Sequence, residues 1–140
     1  MKTSCSKFGK CLYFTSNALA RKVEKLAQES WKPVGLSPSH AYLLMAVIDV
    51  PGIQPTQLVG ELQLTPSTIT RLVEKLEAQK LVQRTSEGKS TNIYPTPKAK
   101  ALYPKMKICQ QHFYEQYVQA LGQEASARLV QDMSQVADKL

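Results

Sequence analysis

The stretch IQPTQLVGELQLTPSTITRLVEKLEAQKLVQRTSEGKSTNIYPTPK, residues Ile53–Lys98, decides the fold, because each of its segments carries its own punctuation. Thr65 is a good helix N-cap, Pro66 suits the first helical position, and Ile69, Leu72, Val73 and Leu76 fall at i, i+3, i+4 and i+7. That spacing predicts a helix with one core face. The opposite face centres on Ser67, Arg71, Glu74 and Ala78, with Thr68, Thr70 and Lys75 on its flanks. Ser and Thr are poor helix formers, so their clustering at a helix start beside cations points to close approach to bases and phosphates in a major groove.

Upstream, Pro55 opens a short helix with Leu58 and Leu62 as its buried pair, and Gln63 and Leu64 turn the chain into Thr65. Two helices joined by so short a turn have helix-turn-helix spacing. Downstream, Leu81–Thr85 and Thr91–Tyr94 read as paired strands, with Ser86–Ser90 as the turn and Gly88 able to take a positive φ. Lys89 then stands at the tip of a wing. Residues 65–100 hold seven Lys or Arg (71, 75, 80, 84, 89, 98 and 100) against Glu74, Glu77 and Glu87, so most of the chain's net charge of +7 lies in this quarter.

The run from Leu62 to Glu77, followed by Leu81-Val82-Gln83-Arg84, resembles the DNA-reading core of the MarR family of bacterial transcriptional regulators. The family's D-x-R wing pattern is met conservatively by Glu87-Gly88-Lys89-Ser90, and its L-T-x-K-G helix start by Pro95-Thr96-Pro97-Lys98-Ala99. Two departures are specific. Lys89 lacks the flat guanidinium fork of the family's wing Arg, and Gln63 stands where the family often has Gly. The resemblance covers nearly the whole chain and implies a mostly α fold with a small β-wing. In it, a winged helix-turn-helix at about 36–98 is flanked by dimerisation helices at 8–30 and 97–140. It further implies a homodimer on a palindromic double-stranded DNA operator, with Ser67, Thr68, Thr70, Arg71, Lys75, Arg84 and Lys89 as the DNA-binding set.

The flanking segments fit this frame on their own residues. Residues 1–7 read as a loosely held polar arm, and Phe8, Leu12, Leu19, Val23 and Leu26 recur at helical spacing with a break at Thr15 and Ser16. Trp31, Pro33 and Gly35 end that helix. Ser37 and Pro38 begin another, apolar on several sides and running to about Val50. A long helix starts at Thr96-Pro97 and carries Leu102, Met106, Cys109, Phe113 and Tyr117. Pro104 predicts a kink or a fresh start within it, since an interior proline costs about 3 kcal/mol. After Gly122 a last helix shows Leu129, Val130, Met133, Val136 and Leu140 on one face. Stripes this long and thin cannot all be buried within one chain of 140 residues, which calls for a partner.

Composition narrows the function. No apolar run approaches the roughly 20 residues that span a bilayer, and no secretory signal is visible, so a cytoplasmic protein with no membrane association is expected. A pI of about 9.4 fits an anionic partner, nucleic acid first. Cys5, Cys11 and Cys109 with His40 and His112 make neither a disulfide framework nor a zinc spacing, so no metal and no cofactor are expected. With no nucleophile motif and no phosphate-cradling Gly loop, an enzyme is not expected either, and there are no candidate catalytic residues.

Secondary candidates remain open in both directions. Tyr13, Tyr42 and Met45 fit core packing, and by resemblance also the cavity in which family members bind small, often phenolic, effectors. Cys11, near a helix start with Lys7 and Lys10 close by, fits an incidental thiol. By loose resemblance it also fits the cysteine through which some members sense oxidants. Cys109 reads as a small core hydrophobe and His112 as a surface residue. His40 stands at the third helical position, where the family often has Gln. The expected function is a sequence-specific regulator, a repressor released by a small molecule or by thiol oxidation. The alternative is an architectural or protein-docking winged-helix protein without operator specificity.

Overall fold

A computed structural model describes residues 1–140 in full. The helices are α1 (Leu12–Trp31), α2 (Pro38–Asp49), α3 (Pro55–Leu62), α4 (Pro66–Ala78), α5 (Pro97–Leu121) and α6 (Gln123–Lys139), and the strands β1 (Val82–Glu87) and β2 (Ser90–Pro95) lie between α4 and α5. The chain forms two compact units, one of residues 31–107 and the other of residues 1–30 with 108–140.

The 31–107 unit is the winged helix-turn-helix. Ser37 and Thr65 cap α2 and α4, their hydroxyls accepting the His40 and Thr68 backbone N–H groups, and prolines follow both caps. The core face of α4 is the one expected: Ile69, Leu72, Val73 and Leu76 are buried, packed in a unit whose interior also holds Leu43, Leu44, Val47, Leu58 and Ile93. Leu62 is only half-buried, so Leu58 alone anchors α3.

The wing is longer and its turn tighter than the sequence suggests. Val82 pairs with Pro95 through to Glu87 with Ser90, leaving Gly88 and Lys89 as a two-residue loop. Gly88 takes φ +66° and Lys89 keeps a negative φ, the pattern of a II′-type hairpin turn, whose twist matches that of the strands. Ile53 adds a third edge: it bridges Ile93, with Gly52 N–H donating to the Ile93 carbonyl at 2.8 Å and Ile93 N–H to the Ile53 carbonyl at 3.0 Å.

Thr96 ties the wing to both neighbouring helices. Its buried hydroxyl lies 2.8 Å from the Lys80 carbonyl and 3.2 Å from that of Leu81, while it accepts the Ala99 N–H at the start of α5. Lys80 itself turns the chain out of α4 at φ +60°, an uncommon conformation for a residue with a Cβ. Farther along α5, Tyr103 donates to Asp49 at the end of α2 at 2.6 Å.

The 1–30 and 108–140 unit is helical. Its first helix begins at Leu12 rather than Phe8; residues 1–11 form a 3₁₀ turn at Thr3–Cys5 and further turns instead of a loose arm, with the Phe8 ring packed at a tilt against Phe14, centroids 5.8 Å apart. Thr15 and Ser16, where the apolar spacing breaks, lie within a continuous α1, their hydroxyls bonding back to the Cys11 and Tyr13 carbonyls. Likewise α5 does not restart at Pro104, an exposed residue; it runs unbroken to Leu121. Cys109 is buried, as a small core residue should be, and His112 is exposed.

Thr96→Val keeps the shape of this side chain and removes its hydroxyl, leaving the Lys80 carbonyl and the Ala99 N–H short of a partner, while Leu81 keeps its bond from the Thr96 backbone N–H. Urea unfolding should show a loss of about 1–3 kcal/mol. A midpoint unchanged from wild type would mean that Thr96 does not hold the wing to the helices.

Candidate nucleic-acid interface

The N-terminus of α4 is built from hydroxyls that mostly serve the helix itself. Thr65 Oγ1 lies 2.9 Å from Thr68 Oγ1 and 3.3 Å from Ser67 Oγ, and Thr70 donates to the Pro66 carbonyl at 3.0 Å. Ser67, Thr70, Arg71 and Lys75 are exposed along one side, as the face analysis requires, while Thr68 is half-buried against the cap. Arg71 reaches back towards Thr68 Oγ1 at 3.5 Å, a long contact that leaves most of its five donors unused. A helix that spends its hydroxyls on its own first turn presents short, stiff side chains, with Arg71 as the reach of the surface.

Arg84 is placed differently from Arg71. Its Nη2 and Nε donate to Glu77 Oε1 and Oε2 at 2.7 and 3.2 Å, a bidentate pair linking the last turn of α4 to β1. The side-chain hydrogen bond from Arg84, helped by its charge, holds the Glu77 carboxyl below its ordinary range. Arg84 is therefore a brace between helix and wing before it is a free cation, and sequence reasoning missed this because the partners sit seven residues apart in different elements. A polar cleft of about 520 Å³ opens beside this brace, lined by Lys80, Gln83 and Thr85 among others. Lys89 is exposed at the wing tip, where a second cleft of about 250 Å³ separates it from Gln54, Pro55 and Thr56 at the start of α3. Ser67, Thr70, Arg71, Lys75 and Lys89 thus share one unit, built on two helices and a hairpin with a fixed base.

The secondary candidates fall in both units, Tyr42 and Met45 in the winged one and Tyr13 and Cys11 in the helical one. Tyr42 packs edge-on against Trp31 with ring centroids 5.8 Å apart, and Met45 is buried in the core. Tyr13 lies 79 % exposed on the first turn of α1. The apolar cavity of the helical unit, about 190 Å³, is lined instead by residues such as Leu19, Val23, Phe113, Tyr117 and Met133. Cys11 is exposed and immediately precedes α1, and Cys5 is exposed as well. No group of three or more His, Cys, Asp or Glu side chains could hold a metal ion, and no helix is long and apolar enough to cross a membrane.

Comparisons with known proteins agree with this geometry. Residues 34–90 match the family model described as MarR family. Over 100 residues, 69 % of this chain and 67 % of the relative, the sequence is 25 % identical to an uncharacterised HTH-type transcriptional regulator, YybA, from Bacillus subtilis (strain 168). Among solved structures, the transcriptional repressor CouR bound to p-coumaroyl-CoA superposes with a TM-score of 0.87 at 18 % identity, covering 97 % of this chain and 98 % of that one. A mutant of E. coli MarR complexed with operator DNA does so with a TM-score of 0.81 at 16 % identity, covering 94 % and 98 %.

The Glu77–Arg84 brace has a pH signature. Because the folded-state pKa of Glu77 is depressed, its contribution is present above the unfolded value near 4.5 and is lost as pH falls through the folded value. Glu77→Gln should cost at most about 1 kcal/mol at pH 7, as for other exposed pairs, and less at pH 3. The check is urea unfolding of both proteins at the two pH values; a deficit equal at pH 3 and pH 7 would remove the ionised pair as its cause.

Proposed function

We propose that this chain, whose residues 34–90 match the MarR family model, is a sequence-specific DNA-binding transcriptional regulator of that family. It works as a homodimer, repressing its target and releasing DNA when a small molecule binds or a thiol is oxidised. The observation that carries this reading is the pairing of an exposed Arg71 at mid-helix with an exposed Lys89 at the tip of a wing fastened to that same helix. The guanidinium can donate two parallel bonds to a guanine edge, whereas the ammonium is a point charge suited to phosphates. One element reads sequence and the other adds affinity.

The dimer is supported by what a single chain leaves uncovered. Leu12, Ile108, Val130, Met133 and Val136 are each more than two-fifths exposed, on the helices that line the cavity. Apolar surface of that extent on adjacent helices marks an interaction face. A second copy fits it, since an isologous contact buries the same stripe twice. Release by a small molecule is supported by CouR, solved with p-coumaroyl-CoA bound and similar over nearly the whole chain. Cys11 is the thiol best placed for the oxidative route, exposed ahead of α1.

Arg71→Ala and Lys89→Ala should fail in different ways on a duplex selected by the protein and on its scrambled counterpart. The first should lower the preference for the selected site by about 1–3 kcal/mol. The second should weaken both duplexes alike and flatten log K against log salt by about one unit. Fluorescence anisotropy across a salt series checks both. Wild-type complexes that fail to survive excess random DNA at physiological salt would indicate an architectural binder instead, because a regulator should keep a preference of about 10³ or more.

A further inference from the structure

We infer that the cleft between the wing tip and the first turn of α3 holds a single phosphate of the DNA backbone, gripped by Lys89 together with the hydroxyls of Thr56 and Thr91. This rests on the proposed DNA-binding function and adds to it a built site with two neutral contacts. The cleft, of about 250 Å³, is lined by Gln54, Pro55 and Thr56 on one side and by Lys89, Ser90 and Thr91 on the other. Both walls hang from one bridge. Ile53 pairs with Ile93, the Gly52 N–H donating to the Ile93 carbonyl at 2.8 Å and the Ile93 N–H to the Ile53 carbonyl at 3.0 Å. The chain leaves that bridge to begin α3 at Pro55, and β2 runs into it through Thr91, so neither wall moves far without breaking those bonds.

The lining decides the sign of the ligand. It holds an ammonium, hydroxyls and an amide, and no carboxylate. Lys89 forms no ion pair, and neither Thr56 nor Thr91 spends its hydroxyl on the protein, unlike Thr65, Thr68 and Thr70 of α4. Ser90 is different, since its hydroxyl donates to the Glu87 carbonyl at 2.8 Å. A cation beside two uncommitted hydroxyls, on walls without a carboxylate, suits an anion that accepts from all three. The start of α3 does not supply the site by itself: Pro55 has no N–H, and those of Gln57 and Leu58 both go to the Gln54 carbonyl.

Position decides which anion. Thr56 and Lys89 stand exposed, so a phosphate carried on a strand reaches them from outside. The cleft belongs to the same compact unit as α4, and in a helix-turn-helix the first helix crosses the sugar-phosphate backbone when the second enters the major groove. A strand edge passing α3 and the wing therefore meets this cleft. Lys89 brings charge, which any nearby phosphate satisfies. The two hydroxyls bring geometry, because donors on fixed walls accept one phosphate position and so set the register of α4 on the duplex.

The test is a methylphosphonate scan, in which each backbone phosphate of the selected duplex is replaced in turn by the uncharged methylphosphonate. Dissociation constants are measured for wild type, Lys89→Ala, Thr56→Val, Thr91→Val and Thr56→Ser. One position in each half-site should cost wild type about tenfold but cost Lys89→Ala and both valine variants about threefold or less, the same position for all three. Thr56→Ser, which keeps the hydroxyl, should follow wild type. On unmodified DNA, Thr56→Val should bind selected and scrambled duplexes about three- to tenfold more weakly while keeping the salt slope of wild type, since it removes no charge. Sensitivity lost at different phosphates in the lysine and threonine variants, or a Thr56→Val protein that binds as wild type does, overturns the inference while leaving DNA binding intact. Failure of wild type to bind any duplex removes the proposed function and this inference together.

Discussion

The reading surface depends on the hydroxyl of Thr96. A hairpin that leaves the end of a helix can swing, and a swinging wing cannot hold a cation at a set distance from the side chains of that helix. Thr96 prevents this by bonding to the two carbonyls where the chain leaves α4 and enters the wing, while capping the start of α5. The turn so fixed is not a relaxed one: Lys80 is held at positive φ, at an energetic cost that only surrounding contacts can sustain. Arg84 and Glu77 add a second tie on the exposed side. The wing is therefore an extension of the recognition helix, and Arg71 and Lys89 belong to one rigid body.

Charge and shape divide the work on that body. The cations of residues 65–100 draw in any polyanion, and their effect fades with salt. In the proposed function, discrimination needs a donor fork at a fixed depth in a groove, and Arg71 would supply it from a stretch of helix whose neighbours are short and bonded within their own helix. Arg84, with nominally the same chemistry, is spent on Glu77. Two arginines of one motif thus have different surroundings, a carboxylate at 2.7 Å for Arg84 and only a hydroxyl at 3.5 Å for Arg71.

What could be read from the residues was local. Ser37-Pro38 and Thr65-Pro66 announce helix starts because a capping hydroxyl and a proline act within three residues of each other, and the core face of α4 follows from spacing alone. Gln63, flagged as standing where a glycine is usual, does adopt φ +54°. Thr15 and Ser16 interrupt the apolar stripe without ending the helix, as expected, and their hydroxyls bond to carbonyls one turn back. The misreadings are cases where local preference was overridden. Pro104 is tolerated on the exposed side of α5. The Arg84–Glu77 brace, the Tyr103–Asp49 bond, the Ile53 bridge and the left-handed Lys80 are tertiary facts with no signature in the chain. Tyr13 belongs to the helical unit and Tyr42 and Met45 to the winged unit, so a grouping of the three comes from the resemblance and not from local spacing.

In the proposed function one reading body would bind a single half-site, and the uncovered apolar stripes of the terminal helices are what would double it. Two copies related by a two-fold axis place two recognition helices about 34 Å apart on one face of a duplex, so that modest contacts at each half multiply. The most direct measurement is the composition and footprint of the complex: sedimentation of protein with a duplex bearing its protected site, alongside hydroxyl-radical cleavage of the same duplex. Two protomers per duplex and two protected patches about 10 base pairs apart on one face are the predicted result. One protomer per duplex with a single protected patch would contradict the account.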